Sequence, residues 1–276
     1  MAATAQLGEL PIVDTHAHVF THRMPLAADA WRTPAREAHI EDYLATLDRH
    51  RIPFGVIAAA SMYGDYNTYT LDALRDHPRL RGTVIASPDT DPYILREMAD
   101  NGVVGVRWVW FQREQLPDVT STEYRKFLVR LADLDMHVQL LLGGERLGPL
   151  VEAIQKSGVK LVIDHFGFPD PALGTKCPGF QAALRAIDNQ RTWVKLAAWH
   201  RLGASGTALT QALLSAAGPE RLMWGTDWPF VAAHEGYTYQ DAIDAFMTAV
   251  PDAGTRRALS ETALRFYFWG RESRTS

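Results

Sequence analysis

Eight short apolar runs, separated by segments with helical periodicity, constrain the fold of this chain more than any other feature of its sequence. Near-continuous apolar strands that alternate with amphipathic helices are typical of a parallel sheet whose outer face is covered by helices. Eight such units in 276 residues predict an α/β protein, a (β/α)8 TIM barrel in which residues 1–276 form a single domain. The predicted strands are residues 10–13, 54–60, 82–86, 103–108, 138–142, 159–165, 192–198 and 221–227.

The intervening segments carry the 3.6-residue period of helices. Ile40, Tyr43 and Leu47, for example, share one face of a predicted helix. We expect the last such segment, residues 255–269, to form a helix on the exterior of the barrel. A doubly wound open sheet is the alternative architecture, but the first strand is not followed by the glycine-rich phosphate loop typical of that fold.

Composition argues against several classes of protein. Apolar residues make up 47% of the chain, which is enough for a large core and is not typical of a disordered protein. The formal net charge of -4 gives no basic excess, so we expect neither nucleic acid nor membrane as a partner. Cys177 is the only cysteine, and residues 1–9 lack the features of a secretory signal peptide. We therefore expect a cytoplasmic location.

Polar residues follow the predicted strands at their carboxyl ends, which lie on one rim of a barrel. His16 and His18 are two residues apart on an extended segment, so they project to the same side and could hold one metal ion or polarise one substrate oxygen. His165 ends the sixth strand and Asp227 the eighth. A carboxylate that faces these imidazoles could act as a general base. The structural alternatives are a hydrated strand end for the histidines and a turn cap for Asp227, but the convergence on one rim favours catalysis.

Arginines occupy the same rim. Arg107 lies on the fourth strand, Arg113 follows it, and Arg201 follows the seventh strand. Guanidinium groups bind planar anions through two hydrogen bonds at once, so three of them at one pocket would favour an anionic substrate, in particular a carboxylate. The alternatives are an interior arginine with a structural partner at position 107 and a solvated loop arginine at position 113.

Three motifs together resemble the amidohydrolase superfamily: VDTHAH at residues 13–18, DHFG at 164–167 and GTDWP at 225–229. Within it the chain is most similar to the lactonase branch that includes 2-pyrone-4,6-dicarboxylate lactonase and 4-sulfomuconolactone hydrolase, and the GVR element that ends at Arg107 narrows the match. The resemblance implies a barrel with two sets of functional residues. The catalytic set is His16, His18, His165 and Asp227, and the substrate-binding set is Ser61, Arg107, Arg113 and Arg201.

The resemblance also bears on cofactors. Metal-rich members of the superfamily generally carry a lysine or glutamate on strand four and a histidine on strand five, whereas this chain has Arg107 and no histidine in residues 139–142. A binuclear centre is therefore not expected. Either no cofactor is strictly required, or one divalent metal, zinc first, is held by His16, His18, His165 and Asp227.

The resulting expectation is a hydrolase that opens a carboxylated lactone, of the pyrone-dicarboxylate or muconolactone type, with a water molecule activated by Asp227. Such an enzyme would serve the breakdown of aromatic compounds, and its partner would be a small anionic lactone. The alternatives are a sugar-acid (aldono-)lactonase, a metal-dependent decarboxylase of the same superfamily, and a non-catalytic barrel that binds small acids. The sequence does not distinguish a monomer from a homo-oligomer.

Overall fold

Eight parallel strands surround a common axis in chain order, each hydrogen-bonded to the next, in a computed structural model that describes residues 10–189 and 191–269. The end of β8 closes the ring on β1, where the backbone N–H of His18 donates to the carbonyl of Trp228 at 2.7 Å. The predicted (β/α)8 barrel is confirmed. The strands are β1 (Val13–Ala17), β2 (Phe54–Ile57), β3 (Leu80–Val84), β4 (Val103–Val109), β5 (His137–Leu141), β6 (Lys160–Ile163), β7 (Thr192–Leu196) and β8 (Leu222–Trp224).

All but the last of the helices cover the outside of the barrel, with their apolar faces toward the strands. In α1 the predicted face of Ile40, Tyr43 and Leu47 is buried. Polar side chains begin several helices: the Asp91 carboxylate accepts the N–H of Tyr93 at the start of α3. None of the helices in the described ranges has the length and apolarity needed to cross a bilayer. The helices are α1 (Ile40–Arg49), α2 (Thr68–Asp76), α3 (Pro92–Asp100), α4 (Thr122–Asp133), α5 (Leu147–Gln155), α6 (Pro178–Ile187), α7 (Ser205–Ala217), α8 (Tyr239–Ala249) and α9 (Ala253–Tyr267).

The first strand extends further along the chain than the apolar run predicts. It spans Val13–Ala17 rather than residues 10–13, because its polar residues find buried partners. The Asp14 carboxylate accepts hydrogen bonds from the Thr226 backbone N–H (2.9 Å), the Thr226 hydroxyl (2.7 Å) and the Tyr239 hydroxyl (3.0 Å). As a consequence, His16 lies within the strand and His18 just beyond its end.

The C-terminal helix α9 differs in position from the prediction. It covers the mouth of the barrel at the amino ends of the strands, whereas the sequence predicted a helix on the barrel exterior. Tyr267 is fully buried, and its ring lies 5.7 Å from the ring of His137, the first residue of β5. This end of the barrel is filled by an apolar cluster of strand and helix residues: Ile12, Val13, Val56, Val104, Val162, Met223, Ala263, Leu264 and Tyr267.

Candidate active site

The carboxylate of Asp227 lies at the centre of four imidazole rings. Its Oδ1 atom is 3.2 Å from Nε2 of His18, 3.6 Å from Nε2 of His16 and 3.8 Å from Nε2 of His165. Its Oδ2 atom is 3.7 Å from Nε2 of His200. The structure therefore brings together all four residues of the predicted catalytic set, and it adds a fifth, His200.

Backbone geometry at the strand ends holds these groups in place. The N–H of Asp227 donates to the carbonyl of His16 at 2.8 Å, so the segment that follows β8 is fixed to β1. Asp227 (φ 71°) and His165 (φ 49°) both adopt the left-handed region, which costs a residue with a side chain on the order of 1 kcal/mol. The surrounding barrel maintains this unfavourable backbone conformation at the two positions where a side chain must face the cavity.

The tautomer of His18 follows from one contact. Its Nδ1 atom lies 2.7 Å from the backbone carbonyl of Ala58, and because a carbonyl only accepts, Nδ1 carries a hydrogen. In the neutral ring, Nε2 therefore presents a lone pair to Asp227 Oδ1. Two lone-pair atoms at 3.2 Å repel each other unless a proton or a cation lies between them.

Below the imidazoles, a buried polar network crosses the interior of the barrel. Asp164 Oδ2 accepts hydrogen bonds from Arg107 Nε and from the side-chain amide of Gln139, both at 3.0 Å, and its Oδ1 lies 3.3 Å from His16 Nδ1. The Lys195 ammonium group then donates to Gln139 Oε1 at 3.0 Å and to the carbonyl of Thr15 at 2.6 Å. The network links β1, β4, β5 and β7 to the end of β6.

Charges at the site follow from burial and from these contacts. Burial lowers the pKa of His165 to about 4 and lowers the pKa values of His16 and His200 as well. Burial opposes ionisation of Asp227 and Asp164, but the facing imidazoles, and for Asp164 also the Arg107 guanidinium, bring the pKa values of both carboxyl groups below their ordinary value. At neutral pH the Asp227 carboxylate is therefore ionised and lies beside the neutral imidazoles of His16, His165 and His200.

A cavity of about 130 Å³ opens above Asp227 at the carboxyl ends of the strands. We call it the inner cavity. Three of the four predicted substrate-binding residues line it, namely Ser61, Arg107 and Arg201. The Ser61 hydroxyl accepts a hydrogen bond from the indole of Trp31 at 3.1 Å. The Arg201 guanidinium stacks on the ring of Phe168, 4.7 Å from its centroid.

Arg107 fits both roles that its sequence position suggested, a substrate-binding arginine and an interior arginine with structural partners. It lines the inner cavity, but it also has the structural partners of an interior arginine, because Nη1 donates to the carbonyl of Ala59 at 2.7 Å and Nε to Asp164. Arg113 does not line the cavity. Its side chain is exposed, and its backbone carbonyl accepts a hydrogen bond from the side chain of Arg146.

Three polar residues of the site with buried side chains have no role that the sequence predicts. Lys195 and Gln139 are polar residues with apolar neighbours on both sides in their strands, and a polar side chain at such a position is the signal that could have identified them. His200 follows β7 with Arg201, and its ring packs against Tyr237 at a centroid distance of 5.4 Å. Neither ring nitrogen of His200 has a hydrogen-bond partner among the described residues.

Two groups of side chains in the described part of the chain could hold a metal ion. They are His16, His18 and Asp227, and His16, Asp164 and His165, each with its candidate donor atoms within 4.8 Å of one another. The first group fits a divalent cation better. The His18 lone pair and the Asp227 carboxylate already face each other there, whereas Asp164 is committed to Arg107 and Gln139. Imidazole and carboxylate donors suit zinc.

Comparisons with known proteins identify the family of this chain. Residues 13–269 match the amidohydrolase family. A 4-sulfomuconolactone hydrolase from Hydrogenophaga intermedia is 29% identical over 233 residues, which cover 81% of this chain and 75% of that protein. A solved structure of a probable 2-pyrone-4,6-dicarboxylic acid hydrolase from Acinetobacter baumannii, with citric acid bound, has a TM-score of 0.87 at 29% identity and covers 94% of this chain and 99% of that one.

A second solved structure, a putative 2-pyrone-4,6-dicarboxylic acid hydrolase from Pseudomonas putida, is 34% identical with a TM-score of 0.86, and the match covers 95% of this chain and 99% of that one. These matches confirm the resemblance to amidohydrolases that the three sequence motifs indicate. The chain belongs to the amidohydrolase family.

Proposed function

We propose that this protein hydrolyses a lactone that carries carboxylate groups, of the pyrone-dicarboxylate or muconolactone type, in the breakdown of aromatic compounds. The observation that carries the proposal is the ionised carboxylate of Asp227, surrounded by four imidazoles at the base of a cavity that Arg107 and Arg201 also line. The names of the related hydrolases support the substrate class.

The reaction begins with a water molecule beside Asp227. Asp227 accepts a proton from this water as the water oxygen bonds to the carbonyl carbon of the lactone. The electron pair of the carbonyl bond moves onto its oxygen, which becomes an oxyanion. The imidazole of His165, which lines the inner cavity, stabilises that charge through an N–H group.

The second step opens the ring. The electron pair of the oxyanion re-forms the carbonyl, and the bond between this carbon and the ring oxygen breaks. Asp227 returns its proton to the departing ring oxygen, so the carboxylate is regenerated and the product is an open-chain acid with a new hydroxyl or enol group. Arg107 and Arg201 hold the substrate through its acid groups, which fixes the carbonyl carbon near the water.

A divalent cation, zinc first, would be held by His16, His18 and Asp227, with His165 beside them. When bound, it would supply Lewis-acid polarisation of the carbonyl oxygen. We also propose a cytoplasmic location, which the single cysteine Cys177 supports.

The test is hydrolysis of 2-pyrone-4,6-dicarboxylate and of a muconolactone, followed by ultraviolet absorbance, with protein before and after treatment with chelator. Turnover that survives chelation supports a reaction carried by Asp227 and the imidazoles alone. Activity that is lost and then restored by zinc makes the histidines metal ligands. Turnover of a neutral sugar lactone, with none of either acid lactone, would overturn the proposal in favour of a sugar-acid lactonase.

A further inference from the structure

We propose that a second cavity beside the inner one is a binding subsite for a planar apolar group that carries an acid. The substrate class would then extend to lactones with an arm of that kind. This cavity, which we call the outer cavity, measures about 750 Å³ and is lined by residues of the segments that follow β4, β5, β6, β7 and β8. The connection to a lactone rests on the proposed function, whereas the subsite itself does not.

The two cavities are adjacent. Phe111, Phe168, Arg201 and Ala232 line both of them, so a ligand anchored near Asp227 reaches the outer cavity past these side chains. The rings of Phe111 and Phe168 contact each other at a centroid distance of 5.3 Å. A substituent on the lactone ring that extends into the outer cavity would therefore contact the rings of Phe111 and Phe168.

Close backbone packing forms the floor of the outer cavity. A Cβ atom on Gly143 would lie 2.7 Å from the carbonyl oxygen of Phe168, and one on Gly179 would lie 2.8 Å from the backbone nitrogen of Gly144. Only glycine permits these approaches between the segment after β5 and the segments after β6. Main-chain contacts therefore fix this part of the cavity wall, which includes Gly143 and Gly144.

Two guanidinium groups give the outer cavity its charge. Arg146 is oriented by hydrogen bonds to the backbone carbonyls of Phe111, at 2.9 Å, and of Arg113, and Arg201 is oriented by its stack on Phe168. Neither arginine has a salt-bridge partner within the described part of the chain. Asp170 is the one acidic residue among the lining side chains, and one of its oxygens accepts the N–H of Ala172 at 2.9 Å. The lining thus keeps a net positive charge.

The remaining walls are apolar. Pro169, Pro171, Leu173 and Pro178 line the cavity, and Leu173 is 50% exposed, which leaves apolar surface for a ligand to cover. Aromatic and proline faces bind flat rings well, and arginines held by carbonyl and ring contacts present free N–H groups to an anion. A carboxylated aromatic ring meets both requirements.

The first experiment measures binding of 2-naphthoate to the full chain by calorimetry, with neutral 2-naphthylmethanol for comparison. We expect 2-naphthoate to bind more tightly than the alcohol, and Arg146→Gln to weaken its binding about tenfold, the loss of about 1.4 kcal/mol of interaction. Arg125→Gln is the matched control, because Arg125 is an exposed arginine on α4 outside both cavities. Binding that is equal in Arg146→Gln and in the unaltered protein would overturn the proposal.

A second variant tests the subsite independently, in case Arg146→Gln weakens binding because it disturbs the fold. Leu173→Asp places a negative charge on an exposed wall position, so it should weaken 2-naphthoate binding by a similar factor without affecting the core. An unchanged dissociation constant in this variant would also contradict the subsite.

The second experiment tests the arm on the substrate. We compare kcat/KM for a pyrone carboxylate that bears a carboxyphenyl substituent with kcat/KM for the same pyrone without it. The ratio of kcat/KM for the substituted pyrone to kcat/KM for the unsubstituted one should fall about tenfold in Arg146→Gln and stay constant in Arg125→Gln. A constant ratio in both would overturn the extended substrate class. If neither pyrone is hydrolysed, the proposed function fails, and the binding of 2-naphthoate still decides on the subsite.

Discussion

At the scale of single residues, Asp227 is the side chain on which the proposed reaction depends most. Asp227→Asn removes the base but keeps the shape of the side chain, and asparagine tolerates the left-handed backbone found at this position. We expect kcat to fall by about 10³-fold, within the range of general acid–base catalysis, with little change in thermal midpoint. The measurement is kcat together with a melting curve. Asp72→Asn on α2 is the control, and near-normal turnover in Asp227→Asn would refute the assignment.

Arg201 and Arg113 allow a direct comparison of an arginine inside the inner cavity with one outside it. Arg201→Gln should raise KM for a carboxylated lactone about tenfold, because one charge-assisted hydrogen bond to the substrate is lost. Arg113→Gln should leave KM unchanged, since its exposed side chain does not line the cavity. Steady-state kinetics of the two variants show which arginine binds the substrate. A raised KM in Arg113→Gln would favour the motif-based assignment over the position seen in the structure.

The residues also show where sequence reasoning reaches its limit. His16, His18, His165 and Asp227 could be predicted, because each ends or follows an apolar strand and a barrel brings such ends together. The exclusion of Arg113 from the cavity depends on the path of one loop, which has no periodic signal. Arg146 lines the outer cavity, and nothing in its sequence context distinguishes it from a solvated arginine.

At the scale of elements, α9 holds the amino end of the barrel through Tyr267. Tyr267→Ala should lower the free energy of unfolding by about 3 kcal/mol, as expected when a large buried ring is deleted from a core. Tyr267→Phe is the matched control, because the buried hydroxyl has no hydrogen-bond partner in the ranges described, so its removal should cost little. Urea unfolding measures both variants. An equal loss in the two would mean that the hydroxyl, rather than the ring, stabilises this end.

The elements were predictable to different degrees. The order of strands and helices follows from hydrophobic periodicity, and β4 and β5 begin within one residue of the predicted positions. The extension of β1 through Asp14 was not predictable, because it depends on Thr226 and Tyr239, which lie more than 200 residues away. The position of α9 was missed for a similar reason. An amphipathic helix reports that one face is buried, but not which surface buries it.

At the scale of the whole molecule, buried titratable groups make stability depend on pH. The pKa of His165 is about 4 in the folded state, below its ordinary value, so the unfolded chain binds more protons between about pH 4 and 6.5. Its contribution to stability is therefore full above pH 6.5 and is lost as the pH falls toward 4. Urea midpoints between pH 7 and 4.5 should fall less in His165→Asn than in the unaltered protein. Parallel decreases in both would contradict this origin.

Lys195 makes stability depend on pH above neutrality. Burial lowers its pKa to about 7, well below its ordinary value near 10.4. The unfolded chain therefore binds the extra proton across that interval, and the contribution of this group to stability rises with pH. We expect urea midpoints to rise more between pH 7 and 9.5 in the unaltered protein than in Lys195→Met. Identical slopes would show that another group is responsible.

The helix that covers the amino end of the barrel has a consequence for how substrate enters and product leaves. With α9 seated there, the lactone, the water that attacks it and the opened acid all use the carboxyl rim. Because the lactone and the acid use the same opening, the acid must leave before the next lactone can enter. The position of the C-terminal helix thus makes substrate and product exchange at the opposite end of the molecule.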